Sequence, residues 1–163
     1  MLPSLGVSLK TSGVGAMALG AIIAIITLGA DGARAEPTVI NFTQVGCQFI
    51  ESEGGIDRGF TTRSAKDCER INRDTATKRL GEARPLVLRP GKYIFRVFNK
   101  NVPYALGFWV RGSGFGRVTL PSVSGGGLVL GKTQDYAITL KPGEYVYSCP
   151  LNPTPDYRLV VKG

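Results

Sequence analysis

The stretch Leu140-Lys-Pro-Gly-Glu-Tyr-Val-Tyr-Ser-Cys149-Pro-Leu-Asn152-Pro-Thr-Pro155-Asp-Tyr-Arg-Leu-Val-Val161 reads as strand, turn, strand, loop, strand. In Lys141-Pro142-Gly143-Glu144 proline presets φ at the second turn position and glycine supplies the positive φ wanted at the third. Tyr145 to Cys149 is β-prone and ends at a proline. Prolines at 150, 153 and 155 oppose both helix and ladder pairing, so the chain loops before Tyr157–Val161 resumes an extended run.

Upstream, Leu88-Arg89-Pro90-Gly91-Lys92-Tyr93 repeats Leu140-Lys141-Pro142-Gly143-Glu144-Tyr145 almost letter for letter. Two copies are too few for a solenoid and suit one corner used twice in a Greek-key sandwich. Thr38–Thr43, Pro85–Leu88, Tyr93–Phe98 and Ala105–Val110 read as strands, as do Val118–Leu120, Leu128–Leu130 and Tyr136–Leu140. The expectation is an all-β Greek-key β-sandwich of seven to eight strands. The 22 glycines and 10 prolines favour such a loop-rich β chain over a helical one.

One helix interrupts this pattern. Ser64-Ala65-Lys66-Asp67 has the form of a capping box, and a helix from Ala65 to Leu80 with Gly81 at C′ follows. Cys68, Ile71, Thr75 and Ala76 are expected to face the body, leaving Arg70, Arg73, Lys78 and Arg79 as an outer basic face. The helix belongs to an insertion at about residues 45–83. The glycine-rich stretches 111–116 and 124–127 read as turns. The first has no following helix and the second no Lys-Ser/Thr pair, so neither is a phosphate loop.

Cys149, Asn152, Pro153 and Pro155 fall where amicyanin-like cupredoxins carry Cys-x-x-His-Pro-x-Met before the final strand. Asn99-Lys100-Asn101-Val102-Pro103-Tyr104 matches the family's Asn-x-x-x-Pro-His. Residues 84–163 therefore resemble a cupredoxin, the blue-copper family, with the two ligand histidines replaced by Tyr104 and Asn152 and the axial methionine by Pro155. A type 1 centre needs two imidazoles and a thiolate, and the chain contains no histidine. The resemblance thus implies a cupredoxin-like domain without type 1 copper, its former ligand positions being Tyr104, Cys149, Asn152 and Pro155. It also implies that Pro103, Tyr104, Leu151, Pro153 and Pro155 converge at the loop end that cupredoxins use for docking.

The absence of histidine also excludes imidazole acid–base work and hydrolytic triads, and no carboxylate pair suggests glycosidase chemistry. A Cys149 nucleophile would need a cation against its sulfur, and nothing in the sequence places Arg158 there. No catalytic residue, metal ligand or cofactor is assigned, and the expected function is non-catalytic. Copper handling or electron transfer through Cys149, with ligands from a partner, is the alternative.

Lys10, the uncharged run Val14–Ala30 and Ala33-Arg34-Ala35 form a signal peptide over residues 1–35, with the folded domain starting at Glu36. Without cleavage the same run is a membrane anchor. Either reading exports the domain, to a periplasm in the bacterial case. There a Cys47–Cys68 disulfide is the natural pairing, although pairing of Cys149 with either stays open. Residues 58–100 hold twelve Lys or Arg against Asp67, Glu69, Asp74 and Glu82, within a net charge of +8. Arg70, Arg73, Lys78 and Arg79, with Pro103, Leu151 and Pro153, are the expected partner-binding residues. The charge favours an acidic protein partner, a membrane complex or anionic headgroups, and export disfavours nucleic acid.

Overall fold

The computed structural model describes residues 36–163, so the expected targeting segment, residues 1–35, lies outside the described residues. The described residues are mostly β, with nine strands in two mixed sheets. The first sheet has the order β2-β1-β4-β7, from β1 (Thr38–Val45), β2 (Gln48–Phe49), β4 (Gly91–Asn99) and β7 (Thr133–Leu140). The second has the order β3-β9-β8-β5-β6, from β3 (Leu86–Leu88), β5 (Leu106–Gly112), β6 (Val123–Leu128), β8 (Gly143–Ser148) and β9 (Tyr157–Val161). Pairing is parallel for β1 with β4 and β3 with β9, and antiparallel elsewhere.

The alternation read in Tyr93–Phe98 is the burial pattern of β4. Tyr93, Phe95 and Val97 point into the core, while Lys92, Arg96 and Phe98 point out. Between the sheets Phe108 lies 5.5 Å from Phe95, 5.6 Å from Phe49 and 5.2 Å from Tyr136, ring centre to ring centre. Phe42 and Tyr147 stack at 4.9 Å. Such tilted and edge-on contacts add to the burial of the rings themselves.

The duplicated hexapeptide forms two matching corners. The hydroxyl of Tyr93 donates to the carbonyl of Arg89 at 2.8 Å, and that of Tyr145 to the carbonyl of Lys141 at 2.9 Å. Each corner carries the chain from one sheet to the other, β3 to β4 and β7 to β8. Both lie at one end of the sandwich, the lower end, because Gly91 pairs with Leu140 and Gly143 with Val161. Thr38 pairs with Tyr93 at that same end. Cys149 and Asn99 close the opposite, upper end.

Helix α1 (Ala65–Glu82) runs two residues beyond the expected Leu80, with Gly81 in its last turn rather than at C′. Its start is as expected, the Asp67 carboxylate accepting the backbone N–H groups of Arg63 and Ser64. Two other expectations are corrected. Val118–Leu120 is not a strand, since a short turn, α2 (Gly116–Thr119), occupies it. The glycines 125–127 lie in β6 rather than in a loop, and Val129 and Leu130 follow the strand. Gly107 of β5 must be glycine, because a Cβ on it would meet the carbonyl oxygen of Gly125 at 2.6 Å, while a Cβ on Gly125 would press on the Tyr136 ring at 3.0 Å.

Candidate functional site

The upper end is built from three loops, each held by its own side chains. After β4, Asn99 folds back on its loop, Nδ2 donating to the Val102 carbonyl at 3.0 Å and Oδ1 accepting from the Val102 N–H at 2.9 Å. This turn delivers Tyr104. After β8, Thr154 Oγ1 accepts the Cys149 N–H at 3.0 Å and donates to the Pro155 carbonyl at 3.1 Å. The proline loop is thereby closed around Asn152, which is fully buried. The third loop follows β1 and carries Cys47, the one non-glycine residue among the described residues with a positive φ, +61°.

Asn152 is the hub. Its Oδ1 accepts the Tyr104 hydroxyl at 2.8 Å and the Cys47 N–H at 3.4 Å, and its Nδ2 donates to the Val45 carbonyl at 3.0 Å. Cys47 and Cys68 form the expected disulfide. The Cys68 sulfur lies 2.9 Å from Asn152 Oδ1, a packing contact because a disulfide sulfur carries no proton. Tyr104 gives its proton to Asn152 and accepts from Thr62 Oγ1 at 3.2 Å. Burial raises the Tyr104 phenol above its usual range, and the Thr62 hydrogen bond partly offsets this.

Cys149 is the free thiol and is 1% exposed. Its sulfur accepts the backbone N–H groups of Gly107 at 3.3 Å and Asn152 at 3.2 Å. Burial pushes nearby Tyr136 up to about 12, with the negative form of Cys149 adding to the effect. These residues do not fit a copper ion. One thiol is present with no imidazole, both ends of the Asn152 amide are engaged, a disulfide sulfur lies against that amide, and buried Pro155 offers no side-chain donor. Among the described residues no group of three or more Cys, Asp or Glu could hold a metal.

A second buried polar cluster fixes the helix beside this hub. Arg79 is 1% exposed, donates to Glu53 Oε1 at 2.6 Å and 2.9 Å, and reaches the Cys47 carbonyl at 2.8 Å. Tyr157 and Arg58 also donate to Glu53, at 2.6 Å and 2.5 Å. Burial opposes ionisation of Glu53, but the hydrogen bonds from Arg79, Tyr157 and Arg58 outweigh it, and the carboxyl titrates below its usual range. Burial and the Glu53 carboxylate together push the Tyr157 phenol well up.

The expected outer position of Arg79 is therefore wrong. The inward stripe of α1 is Cys68, Asn72, Thr75 and Arg79, with Asn72 donating to the Pro153 carbonyl at 2.5 Å. Once the disulfide turns Cys68 inward, the steps of four, three and four residues place Arg79 on the same face. That signal was present, but the polar character of the stripe concealed it. Arg73 and Lys78 are exposed with no ion pair among the described residues, whereas Arg70 pairs with Asp67 at 3.1 Å.

The expected docking residues differ in exposure and in the cavities they line. Leu151, 46% exposed, lines a cavity of about 390 Å³ with Phe108, Trp109, Gly125, Gly126 and Pro150. Exposed Pro103 borders a separate cavity of about 300 Å³ with Phe60 and Thr62. Pro153 is half-buried under α1. Val129 and Leu130, which the sequence assigned to a strand, are about half exposed at this end.

Among the described residues no helix is long and apolar enough to cross a membrane. The chain matches no protein-family model and no curated protein.

Proposed function

We propose that this is an exported, non-catalytic cupredoxin-like protein with Greek-key topology, that it has lost its type 1 copper site, and that it works by binding an acidic protein partner, as an accessory subunit of a membrane or redox complex. One observation carries the reading. Asn152, at the position of a ligand histidine, joins Tyr104, Val45, Cys47 and the disulfide in the space where the family resemblance expects a metal. A site filled by its own hydrogen bonds is a scaffold feature. The two tyrosine corners favour the Greek-key reading, and the disulfide favours an oxidising compartment. Exposed Leu151, Val129 and Leu130 at the upper end supply apolar contact area. The burial of Cys149 weighs against a partner-completed copper site.

The test is a titration of the folded, oxidised protein with copper(I) and copper(II), followed by desalting. The expected outcome is no blue charge-transfer band and no retained metal. A tightly held, coloured copper overturns the reading and puts electron transfer first.

A further inference from the structure

The lower end carries a surface that the upper site does not explain. Arg89, Arg117, Lys141 and Lys162 are all exposed there, and none is in an ion pair among the described residues. Among them project Phe115, 96% exposed, and Val118, 87% exposed, from the turn at α2. The pieces are contiguous. Lys162 N–H donates to the Leu88 carbonyl at 3.0 Å, Gly163 lies against Pro142, and a Cβ on Gly143 would meet Leu120, the residue after α2, at 2.7 Å. Arg89 and Lys162 line one cleft of about 710 Å³ on this surface. The nearby acid Glu144 is engaged loosely with Arg158 at 3.7 Å.

An almost fully exposed phenylalanine on a tight turn has no role in the core, since burying it would be favourable and nothing in the fold does so. Set among unpaired cations, it has the composition of a bilayer-surface contact. The ring enters the headgroup boundary and the cations meet anionic lipid. The path of the chain points the same way. Thr38 pairs with Tyr93 at this end, so Glu36, which follows the uncharged apolar run 14–30 in sequence, enters the fold here.

We propose that the lower end, through Phe115, Val118 and the cations Arg89, Arg117, Lys141 and Lys162, rests on an anionic lipid bilayer. This surface is independent of the reading of the upper end. It leaves the loops around Cys149 facing away from the membrane.

The test uses the full chain with Phe115→Trp or Leu130→Trp, each measured against the parent, whose single tryptophan, Trp109, gives the background. Vesicles of phosphatidylcholine with and without phosphatidylglycerol carry brominated acyl chains as quenchers. Phe115→Trp emission is expected to be quenched in anionic vesicles and Leu130→Trp emission is not. Adding Arg117→Glu and Lys141→Glu to Phe115→Trp is expected to abolish the quenching without lowering Tm, because both residues are exposed and unpaired. Absence of quenching for Phe115→Trp, equal quenching at the two positions, or equal quenching in pure phosphatidylcholine overturns the proposal. So does Phe115→Trp emission that responds to soluble polyglutamate and not to vesicles, which would assign the surface to an acidic protein.

Discussion

The hydroxyl of Tyr104 lies 2.8 Å from Oδ1 of Asn152, across 48 residues of sequence, and joins the loop after β4 to the loop after β8. Asn152 is fully buried and its amide serves both loops and the segment from Val45 to Cys47. Its removal should therefore cost far more than removal of the phenol. Asn152→Ala leaves the Val45 carbonyl and the Cys47 N–H without their partner in a buried site, and about 3 kcal/mol of stability should be lost. Tyr104→Phe should cost about 1 kcal/mol. Denaturant unfolding measures both, and an Asn152→Ala protein as stable as the parent would show that the hub is not structural.

The pH dependence should trace to Glu53. Its carboxyl is held below the usual value of 4.5, so the folded state binds fewer protons than the unfolded chain over that range. The contribution is present above about pH 4.5 and is lost as the pH falls through the lower folded value. Glu53→Gln should lower stability at neutral pH and flatten the loss that sets in as the pH falls below about 4.5. Arg79→Ala strands the buried carboxylate and should cost about 3–5 kcal/mol. A Glu53→Gln protein with the parent's full acid transition would assign that transition to other groups.

At the alkaline end Tyr157 sets the expectation. Its phenol is raised above the ordinary 10.0 by burial and by the Glu53 carboxylate, so the folded state keeps a proton that the unfolded chain releases. Stability should be unchanged below pH ~10 and fall above it, and Tyr157→Phe should reduce that slope. Thermal unfolding over a series of alkaline buffers reads this directly, and an unchanged slope in Tyr157→Phe counts against it.

Reduction of Cys47–Cys68, which spans 21 residues, should cost about 3 kcal/mol. The released segment is the one before α1, so limited proteolysis after reduction should cut first within residues 54–63. Cleavage that begins in the sheets instead would mean that α1 is held by the Arg79 cluster alone.

Cys149 should resist alkylation in the native protein and react at a rate set by opening of the fold, because it is 1% exposed and its sulfur accepts two backbone N–H groups. Rapid modification at neutral pH, at the rate of a free thiol, would show an accessible site and reopen thiol chemistry.

Strand positions were legible where side chains alternate, as in β4, and where a turn hexapeptide recurs, as at the two corners. They were misread where backbone rather than side chain decides. The Gly125 segment is a strand because it pairs with β5, where Gly107 has no Cβ to strike the Gly125 carbonyl, a fact of pairing that no local pattern carries. Val118–Leu120 has strand composition, but the chain turns there to reach β6. Within the site, Tyr104, Cys149 and Asn152 were found by position, and the structure brings them together. Glu53, Thr62, Asn72 and Tyr157 were not found, since each is an ordinary polar residue that enters the site through a bond spanning 26 or more residues, to Arg79, Tyr104, Pro153 and Glu53 in turn.

The lower end receives both Thr38 and Val161, so an affinity handle fused directly before Glu36 or after Val161 attaches there. A protein captured on a resin or sensor chip through such a handle presents its upper loops to the analyte and hides Phe115. Interaction screens in that format therefore sample half of the surface, and the other half becomes visible only with the handle moved, for example into the exposed Gly54-Gly55 turn.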